Sequence, residues 1–263
     1  MLSRRFPLAL CALVWLLASL PAVADEMPLD PNDNPEVHTY DSTIDAPLGP
    51  HACGVSGSFT LPQFDDTILI PVPGFGMQPR ELVSVYVSVT ASIIDGYNAW
   101  ENEDNIDANA MVQIGARLRV QSVTPSAPLV VVTFPVDSNT GTLKADSDGD
   151  PPDYSGDDTI AAIADGDSDA NDATIDVSGP ENAAKRAEWS GTGDIAWNFD
   201  PNSHFSADIR PAVQPDNLFE SPKVHFTAEV RYLWQVAPEP ATLAMLAMGS
   251  AGLLVRRTRR RRK

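Results

Sequence analysis

Apolar and polar residues alternate over most of three long segments of the chain, 82–94, 110–121 and 223–236. Successive side chains of a β-strand point to opposite faces, so a period of two residues predicts half-buried strands. Segment 128–136 is rich in β-branched residues and is predicted as a strand covered on both faces. Shorter strands are predicted at 58–61, 67–72, 173–177, 193–199 and 204–209.

The segment 55–236 offers one short helical pattern, at 182–189, among these strands. Many strands separated by Pro, Gly, Asn and Asp favour two packed antiparallel sheets. We therefore expect an all-β fold, an antiparallel β-sandwich of jelly-roll type, formed as one domain. Residues 25–54 are rich in proline and acid and lack an apolar period, which predicts an extended linker.

The first 24 residues have the composition of a signal peptide. Arg4 and Arg5 precede an apolar run at 8–20, and Ala22 and Ala24 place small side chains where signal peptidase cuts. Cleavage there makes Asp25 the first residue of the mature chain. The alternative, a retained membrane anchor, needs about 20 apolar residues, more than this run provides.

The other end of the chain has three successive parts. Pro238, Glu239 and Pro240 end the last predicted strand, because proline cannot continue a strand ladder. The apolar stretch 241–255 is predicted as a short transmembrane helix of roughly 22 Å, less than the hydrocarbon core of about 30 Å. A basic cluster follows and should stay on the cytoplasmic side. Its members are Arg256, Arg257, Arg259, Arg260, Arg261, Arg262 and Lys263.

These three parts cover 237–263. Together with the preceding Val236, they resemble a PEP-CTERM sorting signal, which begins here with the sequence Val236-Ala237-Pro238-Glu239-Pro240-Ala241-Thr242. The resemblance implies recognition by an exosortase, an integral-membrane cysteine transpeptidase. It also implies cleavage near the Pro-Glu-Pro motif, followed by release or transfer to the cell surface or extracellular matrix. The alternative is a tail anchor that is never processed. Both interpretations place the preceding domain outside the cytoplasm.

The body of the chain resembles a choice-of-anchor E domain. The resemblance rests on the sequences at 59–65, 101–105 and 189–193, which read FTLPQFD, ENEDN and WSGTG. That family is a predicted β-sandwich of exported bacterial proteins, so the resemblance implies a fold and no activity. The chain departs from the family pattern where a longer loop ends at Arg80-Glu81-Leu82.

The net charge of the chain limits the classes of molecule that it can bind. The chain has 18 basic and 36 acidic residues, and the two terminal signals hold nine of the basic residues but one of the acidic ones. The body between them therefore carries a net charge near −26, from nine basic and 35 acidic residues. Such a charge opposes contact with polyanions, so no nucleic-acid partner is expected. Removal of Cys11 with the signal peptide leaves only Cys53, which excludes an intramolecular disulfide.

The acidic region 141–181 is predicted as a long loop. Its part 146–176 holds eleven aspartates and no lysine or arginine, and calcium is the hard cation that such oxygen ligands prefer. Two windows have partial EF-hand spacing. They are Asp146, Asp148, Asp150 and Asp157, then Asp165, Asp167, Asp169 and Asp176. Pro151 and Ala170 stand where the calcium loop needs glycine, so the alternative interpretation is a solvated acidic loop.

Sequence motifs for catalysis are missing. The four histidines are scattered without a zinc-ligand spacing, and neither a nucleophile elbow nor a phosphate-binding glycine loop occurs. We therefore expect no enzymatic activity. Trp197 and Trp234 fall in phase with core positions, whereas Trp100 is predicted to be exposed and available to a sugar ring.

These observations favour a structural or binding protein of the cell surface or exopolysaccharide matrix. Its processing partners would be signal peptidase and exosortase, and exopolysaccharide is its expected ligand. The alternative from a different class is a secreted hydrolase acting on a matrix polysaccharide.

Overall fold

The computed structural model describes residues 35–46, 56–72, 76–146 and 152–237. These residues form eleven strands and one short helix. The strands are β1 Glu36–Asp45, β2 Gly57–Pro62, β3 Leu69–Val72, β4 Gly76–Asn102, β5 Ala108–Ser122, β6 Val130–Thr133, β7 Val136–Leu143, β8 Thr159–Asp176, β9 Asp194–Arg210, β10 Pro215–Glu220 and β11 Lys223–Val236. A 3-10 turn, Pro180–Asn182, leads into helix α1, Ala183–Trp189.

The first sheet, sheet A, is built around the long strand β4. Strands β11 and β10 pair with successive stretches of one edge of β4, and β8 pairs with the opposite edge. Strand β1 pairs with the outer edge of β11 over ten residues, and β3 pairs with the first residues of β4. All of these pairings are antiparallel.

The second sheet, sheet B, has the order β2–β9–β5 and is also antiparallel. Strands β7 and β6 pair with successive stretches of the remaining edge of β5. The inner faces of the two sheets share one hydrophobic core. Its largest fully buried side chains include Trp189, Trp197, Tyr232 and Phe226. The predicted all-β fold with two antiparallel sheets is therefore confirmed.

The long alternating segments become the central strands. In β5 the inward residues from Ala108 to Val120 are buried at every second position, and in β11 the same holds from Val224 to Tyr232. Predicted strands 193–199 and 204–209 join into the single strand β9. Predicted strand 128–136 is instead divided into β6 and β7, and between them the carbonyl of Pro135 accepts the Ala116 N–H at 3.1 Å.

The predicted linker 25–54 contains a strand. Residues Glu36–Asp45 form β1, although its inward positions alternate between polar side chains and the apolar Tyr40 and Ile44. The sequence hides this strand because its stability comes from pairing with β11, almost two hundred residues away. The linker prediction is wrong for this part.

The predicted acidic loop 141–181 is also wrong between Thr159 and Asp176. Residues Thr159–Asp176 form the strand β8, which pairs with β4 from Glu101 back to Ser84. Polar side chains are compatible with an edge strand, because one face and one edge remain close to solvent. Only the first part of β8, at Ile160, Ala162 and Ala164, has the buried alternation of a core strand.

Candidate functional site

The two ends of the folded body lie at the same end of sheet A. Glu36, the first residue of β1, is the register partner of Tyr232, and Val236, the last residue of β11, is the register partner of Arg80. The Arg80 guanidinium joins these two ends, since it forms an ion pair with Glu36 at 2.9 Å. Ala237 donates its backbone N–H to the Pro79 carbonyl at 2.9 Å. We call this end of the sandwich the tether pole.

The sorting motif follows the tether pole directly in sequence. Pro238, Glu239 and Pro240, the apolar stretch 241–255 and the basic cluster 256–263 lie outside the described residues, as do Ala22, Ala24 and Asp25. Within the four described ranges, no helix has the length and apolarity needed to cross a bilayer.

The second predicted calcium window lies on strand β8. Its members are Asp165, Asp167, Asp169 and Asp176. At about 3.3 Å per residue, the strand separates the first from the last of them by roughly 36 Å, so the four carboxylates cannot surround one ion. The EF-hand-like loop predicted for this window is wrong, because regular pairing with β4 holds its backbone extended.

The carboxylates of β8 serve the fold instead. Asp169 accepts the backbone N–H of Phe134 at 2.7 Å, and Asp176 accepts that of Ser178 at 2.8 Å. Desolvation raises the pKa of Asp167, and the neighbouring carboxylate of Asp137 raises it further. These contacts link β8 to the loop after β6 and to its own C-terminal turn.

The first predicted calcium window is described only in part. Asp148 and Asp150 lie outside the described residues, so calcium binding there stays a prediction. The Asp146 backbone N–H donates to the Asp104 carbonyl at 2.9 Å, and the Asp157 carbonyl accepts the Lys144 N–H at 3.0 Å. Across the described ranges, no three His, Cys, Asp or Glu side chains are arranged to hold a metal ion.

A second group of carboxylates, of which the sequence marked only Asp146 as a candidate metal ligand, lies at the end of β4 away from the tether pole. Its members are Glu101, Glu103, Asp104, Asp146, Asp158 and Asp216. Glu101 is buried and accepts the Tyr154 N–H at 2.8 Å. Desolvation, followed by the charges of Glu101 and Asp146, raises the pKa of Glu103. We call this end of the sandwich the acidic pole.

Both the desolvation of Tyr154 and the nearby Asp216 raise the pKa of the Tyr154 phenol at the acidic pole. The pole is assembled from the end of β4, the start of β10 and the segment before β8. The local signals for it were the ENEDN sequence at 101–105 and Asp146 of the first predicted calcium window, but nothing in the sequence indicated that these distant segments meet.

The predicted burial is correct for two tryptophans and wrong for a third. Trp197 and Trp234 belong to the core, as predicted, and Trp189 is fully buried beside Trp197 at 6.1 Å between ring centroids. Trp100 is half-buried against the core, and its Nε1–H donates to Asn98 Oδ1 at 3.0 Å. The predicted exposure of Trp100 is therefore wrong, because β10 and β8 pair on both sides of this part of β4.

Comparison with solved structures gives only distant similarity. The chain is similar to the VP2 subviral particle of infectious bursal disease virus at 13% identity, covering 89% of this chain and 53% of that one, with a TM-score of 0.21. It is also similar to the Gt strain of infectious bursal disease virus at 14% identity, covering 89% and 52%, with a TM-score of 0.13. The chain thus spans about half the length of these virus chains. Among curated proteins, none matches it.

One protein-family model matches the chain, at its C-terminal end. Residues 236–261 match the PEP-CTERM protein-sorting motif, which covers the Pro-Glu-Pro sequence, the apolar stretch and most of the basic cluster. The match begins at the last residue of β11. The chain therefore carries a PEP-CTERM sorting motif, and this motif implies an exported protein targeted to an exosortase of the cell envelope.

Proposed function

We propose that the chain is a non-catalytic structural or binding protein of the cell surface or extracellular matrix. Its precursor is held in the membrane by 241–255, and exosortase then cuts it near Pro238, Glu239 and Pro240. The observation that carries this proposal is the sorting motif matched at 236–261, immediately after the last strand of the folded body.

The position of the tether pole supports this arrangement. Both the first strand and the last strand of the body reach that pole, so a membrane-bound precursor would be held there. The acidic pole, at the other end of β4, would then project away from the membrane. This orientation keeps the group of carboxylates away from anionic lipid, which its negative charge disfavours.

The proposed processing is tested by the intact mass of the protein in membrane, cell-surface and medium fractions. The variant Pro238→Ala/Glu239→Ala/Pro240→Ala should keep its tail and remain in the membrane fraction, because the recognition sequence is gone. Wild-type protein should lack both the first 24 residues and the tail. Glu181→Ala, an exposed glutamate of the body, is the matched control and should be processed like wild type.

An intact tail on the wild type, or loss of the tail from the triple variant, would contradict the proposed cleavage. Cytosolic protein with both ends intact would contradict export altogether. The non-catalytic role is tested separately, by measuring the release of reducing ends from polysaccharides incubated with the purified protein. Sustained release would favour the alternative, a secreted hydrolase.

A further inference from the structure

The outer face of sheet B carries rows of polar side chains from three strands. Asn198 of β9 is the register partner of both Ser58 of β2 and Gln121 of β5, and Asp200 of β9 is the register partner of Arg119 of β5. Register partners on neighbouring strands share a face of the sheet. These five residues line an open groove of about 500 Å³, within the usual size range of ligand sites.

The polar side chains of this groove have no partner among the described residues. Across the described chain, the side chains of Arg119, Gln121, Asn198 and Asp200 take part in no hydrogen bond or ion pair. The same holds for Arg117, which lies on the same face of β5, opposite Asn202. The four other arginines of the described chain each form an ion pair with a carboxylate. Those arginines are Arg80, Arg186, Arg210 and Arg231.

The chemistry of the groove matches a ligand with many hydroxyl groups. Guanidinium groups only donate hydrogen bonds, the Asp200 carboxylate only accepts them, and the amides of Gln121 and Asn198 do both. A hydroxyl also donates one hydrogen bond and accepts others, so the neighbouring hydroxyls of one ligand can pair with these donors and acceptors. A polyanion is disfavoured, because Asp200 lies in the groove and the chain has a net charge of −18.

An exposed aromatic ring extends the face beyond the groove. Phe134 is 43% exposed and meets the ring of His204 edge to face, with 5.1 Å between ring centroids. Gly115 of β5 lies between them, since its register partners are His204 on one side and Val136 on the other. A Cβ atom at Gly115 would approach the Pro135 carbonyl oxygen to 2.8 Å, so glycine permits this close crossing.

The polar rows and the aromatic pair form one elongated strip. From Gly115 through Arg117 and Arg119 to Gln121, the outward positions of β5 extend over roughly 20 Å, at about 3.3 Å per residue. An aromatic ring provides apolar surface for the C–H face of a sugar, and the polar rows provide partners for its hydroxyls. A strip of this length suits several units of a chain better than one small molecule.

We infer that the outer face of sheet B binds a neutral polysaccharide chain, with Arg119 and Asp200 as the central contacts and Phe134 as the stacking surface at one end. The inference rests on the proposed function, for which it names the ligand class and the residues. It moves the sugar contact from Trp100, where the sequence placed it, to a different face of the molecule.

The test is affinity gel electrophoresis of the secreted protein purified from the medium. The gels contain dextran, starch, mixed-linkage β-glucan or galactomannan as neutral probes, and alginate as the acidic probe. Retardation by at least one neutral probe is expected, and Arg119→Ala/Asp200→Ala should weaken it by about tenfold or more, since charged hydrogen-bond partners are lost. Phe134→Ala should weaken it as well.

The matched control is Asp208→Ala/Arg210→Ala, which removes an exposed ion pair from the far end of β9 and should bind like wild type. Thermal unfolding of each variant verifies that it is folded. No retardation by any neutral probe, retardation by alginate alone, or unchanged binding by Arg119→Ala/Asp200→Ala would overturn the inference. Each of these results leaves the mass test of tail cleavage unaffected, so failure of the groove and failure of the proposed sorting are distinguishable.

Discussion

At the scale of single residues, Arg80 shows how one side chain connects segments that the sequence keeps apart. Its guanidinium pairs with Glu36 of β1 and lies over the rings of Phe64, at 4.5 Å from the centroid, and Trp234, at 5.3 Å. It also donates to the Asp65 carbonyl. The side chain is only 7% exposed, so solvent screens its charge contacts little, and its cation–π contacts are stronger than they would be at an exposed site.

Arg80→Ala should lower the free energy of unfolding by about 2–4 kcal/mol, because it removes these contacts and leaves Glu36 with the His38 ring as its remaining partner, at 3.1 Å. Arg231→Ala is the matched control. Arg231 also pairs with a glutamate and lies over an aromatic ring, but its side chain is 48% exposed. Its loss should lower the free energy by less than about 1 kcal/mol. Chemical denaturation of both variants measures the difference, and equal losses would contradict the role given to Arg80.

At the scale of elements, polar side chains close the edge of β8 that faces away from β4. One edge of β8 pairs with β4, and side chains of the opposite sheet bond to its other edge. Asp137 accepts the Ile163 N–H at 3.0 Å, and Asn139 donates to the Ala161 carbonyl at 2.8 Å. In return, Asn171 donates to the Val132 carbonyl at 3.0 Å. Side chains thus occupy backbone groups that an open edge would offer to another strand.

Asn139→Ala/Asn171→Ala should lower the free energy of unfolding by about 1–2 kcal/mol, because two hydrogen bonds between the sheets are lost. It should also increase self-association, since the Ala161 and Val132 carbonyls become free to pair. Denaturation and light scattering after size exclusion measure the two effects. Asn217→Ala, on the exposed face of β10, is the control and should change neither quantity. A double variant that is as stable and as monomeric as wild type would refute this explanation of the edge.

At the scale of the whole molecule, the first and last strands of the body are neighbours. Strand β1 pairs only with β11 among the described strands, and its Tyr40 ring stacks on Phe59 of sheet B at 4.0 Å between centroids. The N-terminal strand therefore bridges the two sheets while covering the edge of β11. The tether pole depends on this pairing, because it brings Glu36 to the end of the fold from which the sorting motif continues.

A chain that begins at Pro47 should be less stable than one that begins at Pro35, by about 3 kcal/mol or more. The shorter chain lacks β1, so it loses the packing of Tyr40 and Ile44 and the burial of Ala46 against the core. Denaturation of the two chains, both ending at Ala237, measures the difference. Equal stability would restore the interpretation of 25–54 as a linker throughout.

The sequence by itself determined the features that depend on local pattern. The central strands β4, β5 and β11 were predictable because their inward positions are apolar at every second residue, and the sorting motif was predictable because it is a short linear sequence. Core tryptophans such as Trp197 followed from the same period. In each case the information lies within a few consecutive residues.

The tertiary structure alone decided the features that depend on which distant segments pair. Strand β1 and most of β8 have too few apolar residues to be recognised from sequence, where only 173–177 was predicted, and their backbone hydrogen bonds come from β11 and β4. The extended backbone of β8 holds the aspartates of the second predicted calcium window too far apart for one ion. The pairing of β2, β9 and β5 assembles the polar groove. A residue's own neighbours encode the face to which it points, whereas its partners across the sheet are set by the packing of the whole chain.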